Sequence, residues 1–141
     1  MSELADSLVV VDSSVAVKWF KRAGEPNLDE ALSLLQAHLT ETQLLAAPDS
    51  LRTEVLNALW SHRVGEEGLR TAAQDLEGFR LQWFPIDGAL SVEAGALAAR
   101  SRITVYDAVF AALANQLEAE LLTADEQLAH SGACRARLLG E

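Results

Sequence analysis

Residues 8–20, Leu-Val-Val-Val-Asp-Ser-Ser-Val-Ala-Val-Lys-Trp-Phe, restrict the folding of this chain more than any other stretch. Four apolar residues, three of them β-branched, suit a strand buried on both faces, as parallel sheets require. The run stops at Asp12. Ser13 and Ser14 offer N-cap hydroxyls, and Val15 to Phe20 resume with a helical look. A strand that passes into a helix through an acid puts that acid at the carboxyl edge of a sheet, where open α/β sheets bind ligands. On this stretch alone, capping the helix and holding a ligand are equal uses for Asp12.

The arrangement returns near the other end. Glu-Leu-Leu-Thr-Ala-Asp, 120–125, is a second buried strand that stops at a carboxylate, Asp125. Two such strands side by side would bring two carboxylates to one edge. Between them the pattern alternates. A helix is expected over about 27–40 on the broad apolar face of Leu28, Ala31, Leu32, Leu34, Leu35 and Leu39, and Leu44 to Ala47 reads as a short strand before Pro48. Asp49 and Ser50 offer caps for a helix to about Val64, ended by Gly65, and another helix spans 66–82. Residues 83–86 read as a strand, at an edge because of Pro85. Helices over 89–101 and 106–119 follow, the second apolar almost all round and so buried, and 126–130 makes a short helix. Strands alternating with helices call for a parallel sheet covered on both faces. No repeat, low-complexity tract or linker interrupts the chain, so residues 1–141 read as one domain.

Two further acids join Asp12 and Asp125. Asp107 opens the buried helix, where it can serve the helix dipole; the alanines at 108, 111, 112 and 114 let that helix approach the sheet closely and carry Asp107 inward. Glu54 borders the stripe Leu51, Val55, Ala58 and Leu59, with Asn57 and Ser61 beside it. By itself Glu54 is the polar margin of a core-facing helix; with the others it looks into a cleft. Four carboxylates in one cleft repel one another unless cations are bound. All-oxygen ligands favour Mg²⁺ or Mn²⁺, ions that hold phosphates and acidify water, which is the equipment for phosphodiester hydrolysis.

At this point the chain resembles the PIN-domain nucleases, specifically the VapC toxins of toxin–antitoxin pairs. The resemblance lies in Val-Val-Asp-Ser-Ser-Val-Ala-Val-Lys-Trp-Phe at 10–20, Glu-Val-Leu-Asn-Ala-Leu at 54–59, Thr-Val-Tyr-Asp-Ala-Val-Phe-Ala-Ala-Leu-Ala at 104–114 and Leu-Leu-Thr-Ala-Asp-Glu-Gln-Leu-Ala at 121–129. It implies a three-layer α/β/α sandwich with a central parallel sheet of about five strands. It also implies catalytic and metal-binding roles for Asp12, Glu54, Asp107 and Asp125, with Ser14, Asn57 and Thr123 as supporting polar residues. A homodimer, Mg²⁺- or Mn²⁺-dependent cleavage of RNA and inhibition by a cognate antitoxin (VapB-like) are implied with it.

The remaining features narrow the alternatives. Eleven basic against 21 acidic residues give a net charge of −10, the wrong sign for holding nucleic acid by bulk charge. Lys18, Lys21 and Arg22, just after Asp12, are the candidates for holding phosphates, with a solvated face the equal alternative. His38, His62 and His130 share no spacing with the single Cys134, so no zinc site is proposed, and each is expected at a surface or helix end. Trp19, Trp60 and Trp83 are expected in the core or an interface. One cysteine fits a reducing cytoplasm. No apolar run approaches bilayer length, and Met-Ser-Glu-Leu-Ala-Asp carries no basic cluster before an apolar stretch, so neither a membrane span nor a secretory signal is expected. A phosphatase of the haloacid-dehalogenase type also begins from a strand ending in Asp, but it wants a second Asp where Ser14 stands. A PIN-like module that binds RNA or protein without cutting is the non-enzymatic rival.

Overall fold

In the computed structural model, which describes residues 8–21 and 24–141, Val10 and Val11 lie at the centre of a five-stranded parallel sheet and are completely buried. The sheet order is β3-β2-β1-β4-β5. Its strands are β1 Leu8–Val11, β2 Leu44–Pro48, β3 Gln82–Phe84, β4 Glu120–Thr123 and β5 Ala136–Leu138. The helices are α1 Ser13–Ala16, continued as a 3-10 turn over Val17–Phe20, α2 Leu28–Leu39, α3 Leu51–Ser61, α4 Glu66–Gly78, α5 Gly88–Ser101, α6 Val105–Leu117 and α7 Glu126–Ala129.

The order of the strands decides where ligands can go. From β1 the chain steps outward to β2 and β3, then returns across the sheet to β4 and β5. Right-handed crossovers therefore put the outward helices on one face and the returning ones on the other, giving three layers. The reversal falls between β1 and β4, whose registers align Val10 with Leu121 and Val11 with Leu122. That is the topological switch point, and its carboxyl edge is the crevice such sheets use.

Packing follows from side-chain size. α6 lies across β1, β2 and β4, with Ala108, Ala111, Ala112 and Ala114 all buried, and α5 packs on it. Phe110 and Leu113 on the same helix fill the space that the alanines leave. On the other side, Trp19 sits edge-on to Phe79 at 5.8 Å and donates its indole N–H to the Ala31 carbonyl at 2.9 Å.

Several expectations change in detail. β5 was not read from its residues, and Pro48 is inside β2 rather than beyond it. α3 stops at Ser61, and the left-handed turn is taken by Arg63 (φ 66°), while Gly65 starts α4. α4 ends at Gly78, earlier than expected, because β3 begins at Gln82. His38 is not a surface residue: it is 5 % exposed. Its Nδ1 accepts the Leu45 N–H at 3.0 Å, which puts the proton on Nε2 facing the Phe79 and Arg80 carbonyls at 3.0 and 3.1 Å. It thus ties α2 to the start of β2 and to the turn after α4. Trp60 is 65 % exposed and takes no part in the core.

Candidate active site

Asp12 is the residue to which the other groups are fitted. It follows β1 directly, and its backbone N–H continues the ladder to the Leu122 carbonyl at 3.3 Å. Asp12 itself, and not Ser13 or Ser14, is the N-cap of α1, its Oδ1 accepting from the Val15 N–H. Ser14 donates to the same Oδ1 at 2.6 Å, and Thr123, at the end of β4, donates to Oδ2 at 2.5 Å. Each hydroxyl is aimed from behind: Ser14 Oγ accepts the Ala124 N–H at 2.8 Å and Thr123 Oγ1 the Asp125 N–H at 3.0 Å. With one lone pair engaged by a backbone N–H, each hydroxyl is turned to give its proton to the carboxylate. The side chain is held in one orientation across the β1–β4 switch point.

This carboxyl is only 5 % exposed. Burial pushes its pKa up from 3.8 to about 6, against the hydrogen bonds from Ser14, Thr123 and Val15 that favour the charge; Asp107 adds a smaller repulsion. Glu54, on the first turn of α3, is also held above its ordinary value, chiefly by burial and then by the charges of Asp12 and Asp107. Its Oε1 accepts from Ser13 Oγ at 3.2 Å, while Oε2 is buried without a hydrogen-bond partner among the described residues. Asp107 lies in the first turn of α6, capped by Thr104, whose Oγ1 accepts the Asp107 N–H at 3.1 Å. Its carboxyl is raised by burial first and by Asp125 next. Asp125 caps α7, its Oδ1 accepting from Gln127 and Leu128, with Oδ2 unengaged among the described residues.

The fold therefore carries all four acids to one edge, where Asp12 and Glu54 each feel Asp107, and Asp107 feels Asp125. They do not form a closed chelating shell: among the described residues no three Asp, Glu, His or Cys side chains are gathered tightly enough to hold one ion. What the edge does offer is oxygen donors alone, a buried Glu54 oxygen with no partner and a free Asp125 oxygen. That donor set suits a hard divalent cation and no soft one.

Ser14 and Thr123 take the supporting places expected of them. Asn57 does not: it is exposed, and its side chain makes no hydrogen bond to the acids. Ser13, expected only as a cap, instead bridges α1 to Glu54, a contact that needs α1 and α3 to pack together and leaves no mark in the sequence. Of the cations after Asp12, the two lysines turn elsewhere. Lys18 donates to the Pro26 carbonyl at 3.0 Å, Lys21 pairs with Glu25 at 3.9 Å, and Arg22 lies outside the described residues.

Known proteins share this chain's sequence pattern and fold. The family described as the PIN domain matches residues 9–132. A relative called Ribonuclease VapC3, from Pyrobaculum aerophilum, is 33 % identical over 127 residues, covering 86 % of this chain and 92 % of its own. Among solved structures, Mycobacterium tuberculosis VapC20, a sarcin-ricin loop cleaving toxin, superposes with a TM-score of 0.70 at 16 % identity, over 88 % of this chain and 95 % of that one. A toxin–antitoxin complex from Klebsiella pneumoniae gives 0.68 at 16 % identity, over 94 % and 98 %.

Proposed function

Since the chain belongs to the PIN-domain family, we propose that it is a ribonuclease of the VapC type, the toxin of a toxin–antitoxin pair, hydrolysing RNA phosphodiester bonds. The observation that carries this is the clamped carboxylate of Asp12 at the β1–β4 switch point, with Glu54, Asp107 and Asp125 within electrostatic reach. A Mg²⁺ or Mn²⁺ ion held by Asp12, Glu54, Asp107 and Asp125 would supply an acidified water and offset charge on the scissile phosphate. The chain's own groups have separate tasks. Ser14 and Thr123 keep Asp12 oriented and, by donating to it, keep it ionised at neutral pH. Ser13 holds one Glu54 oxygen and so restrains its carboxylate, and Thr104 fixes the turn from which Asp107 projects.

The wider reading takes residues 1–141 as one such domain, working in the cytoplasm as a homodimer neutralised by a protein antitoxin. Exposed Tyr106 (75 %), Trp60 and Val92 leave apolar surface for such partners. Among the described residues no helix is long and apolar enough to cross a membrane. The open arrangement of the acids favours one second reading, a PIN-like module that binds RNA or protein without turnover.

One experiment separates the two. Purified protein is incubated with structured RNA and Mn²⁺, with and without chelator, alongside Asp107→Asn. Cleavage that chelator abolishes and that falls about a hundred- to a thousandfold in Asp107→Asn supports the nuclease, a loss typical of removing one electrostatic catalytic group. Full activity in Asp107→Asn would sink the site assignment, and RNA binding without cleavage would favour the module.

A further inference from the structure

A chain of net charge −10 holds an RNA strand only through local cations, and Lys18 and Lys21 turn towards the Pro26 carbonyl and Glu25. The structure supplies one that no motif marks. A cleft of about 510 Å³ opens between the turn from α5 to α6, where Ser101, Arg102 and Ile103 line it, and the short helix α7, where Glu126, Gln127 and His130 line it. Both walls lead directly to the acids: Asp107 is one turn into α6, and Asp125 is the N-cap of α7.

Arg102 is exposed and forms no ion pair or hydrogen bond through its guanidinium among the described residues. The arginines on α3, α4 and β5 are engaged: Arg52 with Asp49 and Glu77, Arg70 with Glu66, and Arg137 with Glu30 and Glu120. Arg102 also holds the C-cap of α5 in the left-handed conformation (φ 58°, ψ 43°), a place that glycine takes without strain. Across the cleft, the amide side chain of Gln127 and the ring of His130 make no hydrogen bonds among the described residues, so they too are available. Glu126, the cleft's one acid, adjoins Asp125, while His130 lies at the far end of α7.

We infer that this cleft is a subsite for the ribose-phosphate of an RNA nucleotide flanking the scissile bond, with Arg102 as its phosphate ligand. The inference rests on the nuclease reading of the same edge. A guanidinium fork fits two phosphate oxygens, and Gln127 and Ser101 supply the donor and acceptor groups that a ribose hydroxyl or a base edge engages. The strand then runs from the four acids along α7 towards His130.

The test uses Asp107→Asn as the parent, silenced in cleavage, and a fluorophore-labelled single-stranded RNA oligonucleotide of mixed sequence, with binding followed by anisotropy across a salt series. Arg102→Gly is the informative change, since glycine suits φ 58° and the fold is retained; unfolding curves check this. Expected in that background are about a tenfold weaker affinity and a salt slope lower by roughly 0.7, the share of one phosphate on a single strand. Arg102→Lys restores the slope but only part of the affinity, because a point charge replaces the fork. In the chain with Asp107 intact, Arg102→Gly raises KM for RNA by a similar factor. Equal affinity, slope and KM for Arg102→Gly, while the unaltered chain cleaves RNA, would overturn the subsite and leave the nuclease reading standing. A chain that neither binds nor cuts RNA would remove both.

Discussion

Replacing Asp12 by asparagine should make the metal-free protein more stable at neutral pH, although it removes a carboxylate that accepts from Ser14, Val15 and Thr123. The reason is the cost of its charge. Its carboxyl titrates near 6 in the folded chain against 3.8 as the ordinary value. At about 1.4 kcal/mol per unit, ionised Asp12 opposes folding by roughly 3 kcal/mol at pH 7. The sign follows from proton counting. Between pH 4 and 6 the folded state binds more protons than the unfolded one, so this penalty is absent below about 3.8, grows as pH rises and is complete above about 6. Asparagine is neutral and nearly isosteric. Its carbonyl can take the Oδ1 position facing Ser14 and Val15, and its amide can donate to Thr123 Oγ1, which turns its own proton towards Ser14 at 3.3 Å. Allowing for imperfect amide geometry, a gain of about 2 kcal/mol remains. With an unfolding entropy of about 0.3 kcal/mol/K for a chain of 141 residues, that is roughly 7 °C in Tm. The assay is thermal unfolding by circular dichroism in chelator at pH 7.5, 6 and 4.5. Asp12→Asn should melt higher at pH 7.5, and the advantage should shrink at 6 and nearly vanish at 4.5. Added Mn²⁺ should raise the Tm of the unaltered chain and move the variant less. A variant that melts lower at pH 7.5, or a difference that does not change with pH, would refute the account of Asp12 as a buried, uncompensated charge.

Thr123→Val removes a fully buried hydroxyl that serves Asp12 and the Asp125 N–H together, and it should cost about 1–3 kcal/mol in denaturant unfolding at pH 7.5. It should also lift the Asp12 titration further above 6, so that cleavage loses its acid-side activity at a higher pH than in the unaltered protein. His38→Leu should cost about 2–4 kcal/mol, since it strands the Leu45 N–H and the Phe79 carbonyl inside the α2–β2 junction; near-wild-type stability would mean that water reaches them. The antitoxin should mask the acidic edge with a basic group, an arginine fork by preference, and a complex with no cation near Asp12 or Asp107 would contradict this.

The residues themselves determine the alternation of buried strands and helices, and with it the parallel sheet, because a strand buried on both faces has to be apolar throughout. They also determine that Asp12 and Asp125 stand at strand ends, since a charge cannot continue a buried run. The four-stretch match to PIN domains was legible for the same reason: apolar runs and the acids that end them are local features. Tertiary structure decided the rest. That β1 pairs with β4 and not only with β2 is a matter of chain crossover, and it alone makes Thr123 a donor to Asp12. β5 is three half-buried residues with an arginine at the centre, joined to β4 by backbone hydrogen bonds such as Leu121 N–H to the Arg135 carbonyl, so no side-chain pattern announces it. His38 looks from the sequence like any polar residue near a helix end; its burial comes from the turn after α4, which brings two carbonyls over its ring. Whether Lys18 or Arg102 faces a phosphate depends on which contacts their long side chains find in three dimensions. Charge and hydropathy are written residue by residue, but the direction of a flexible cation is set by neighbours distant in sequence.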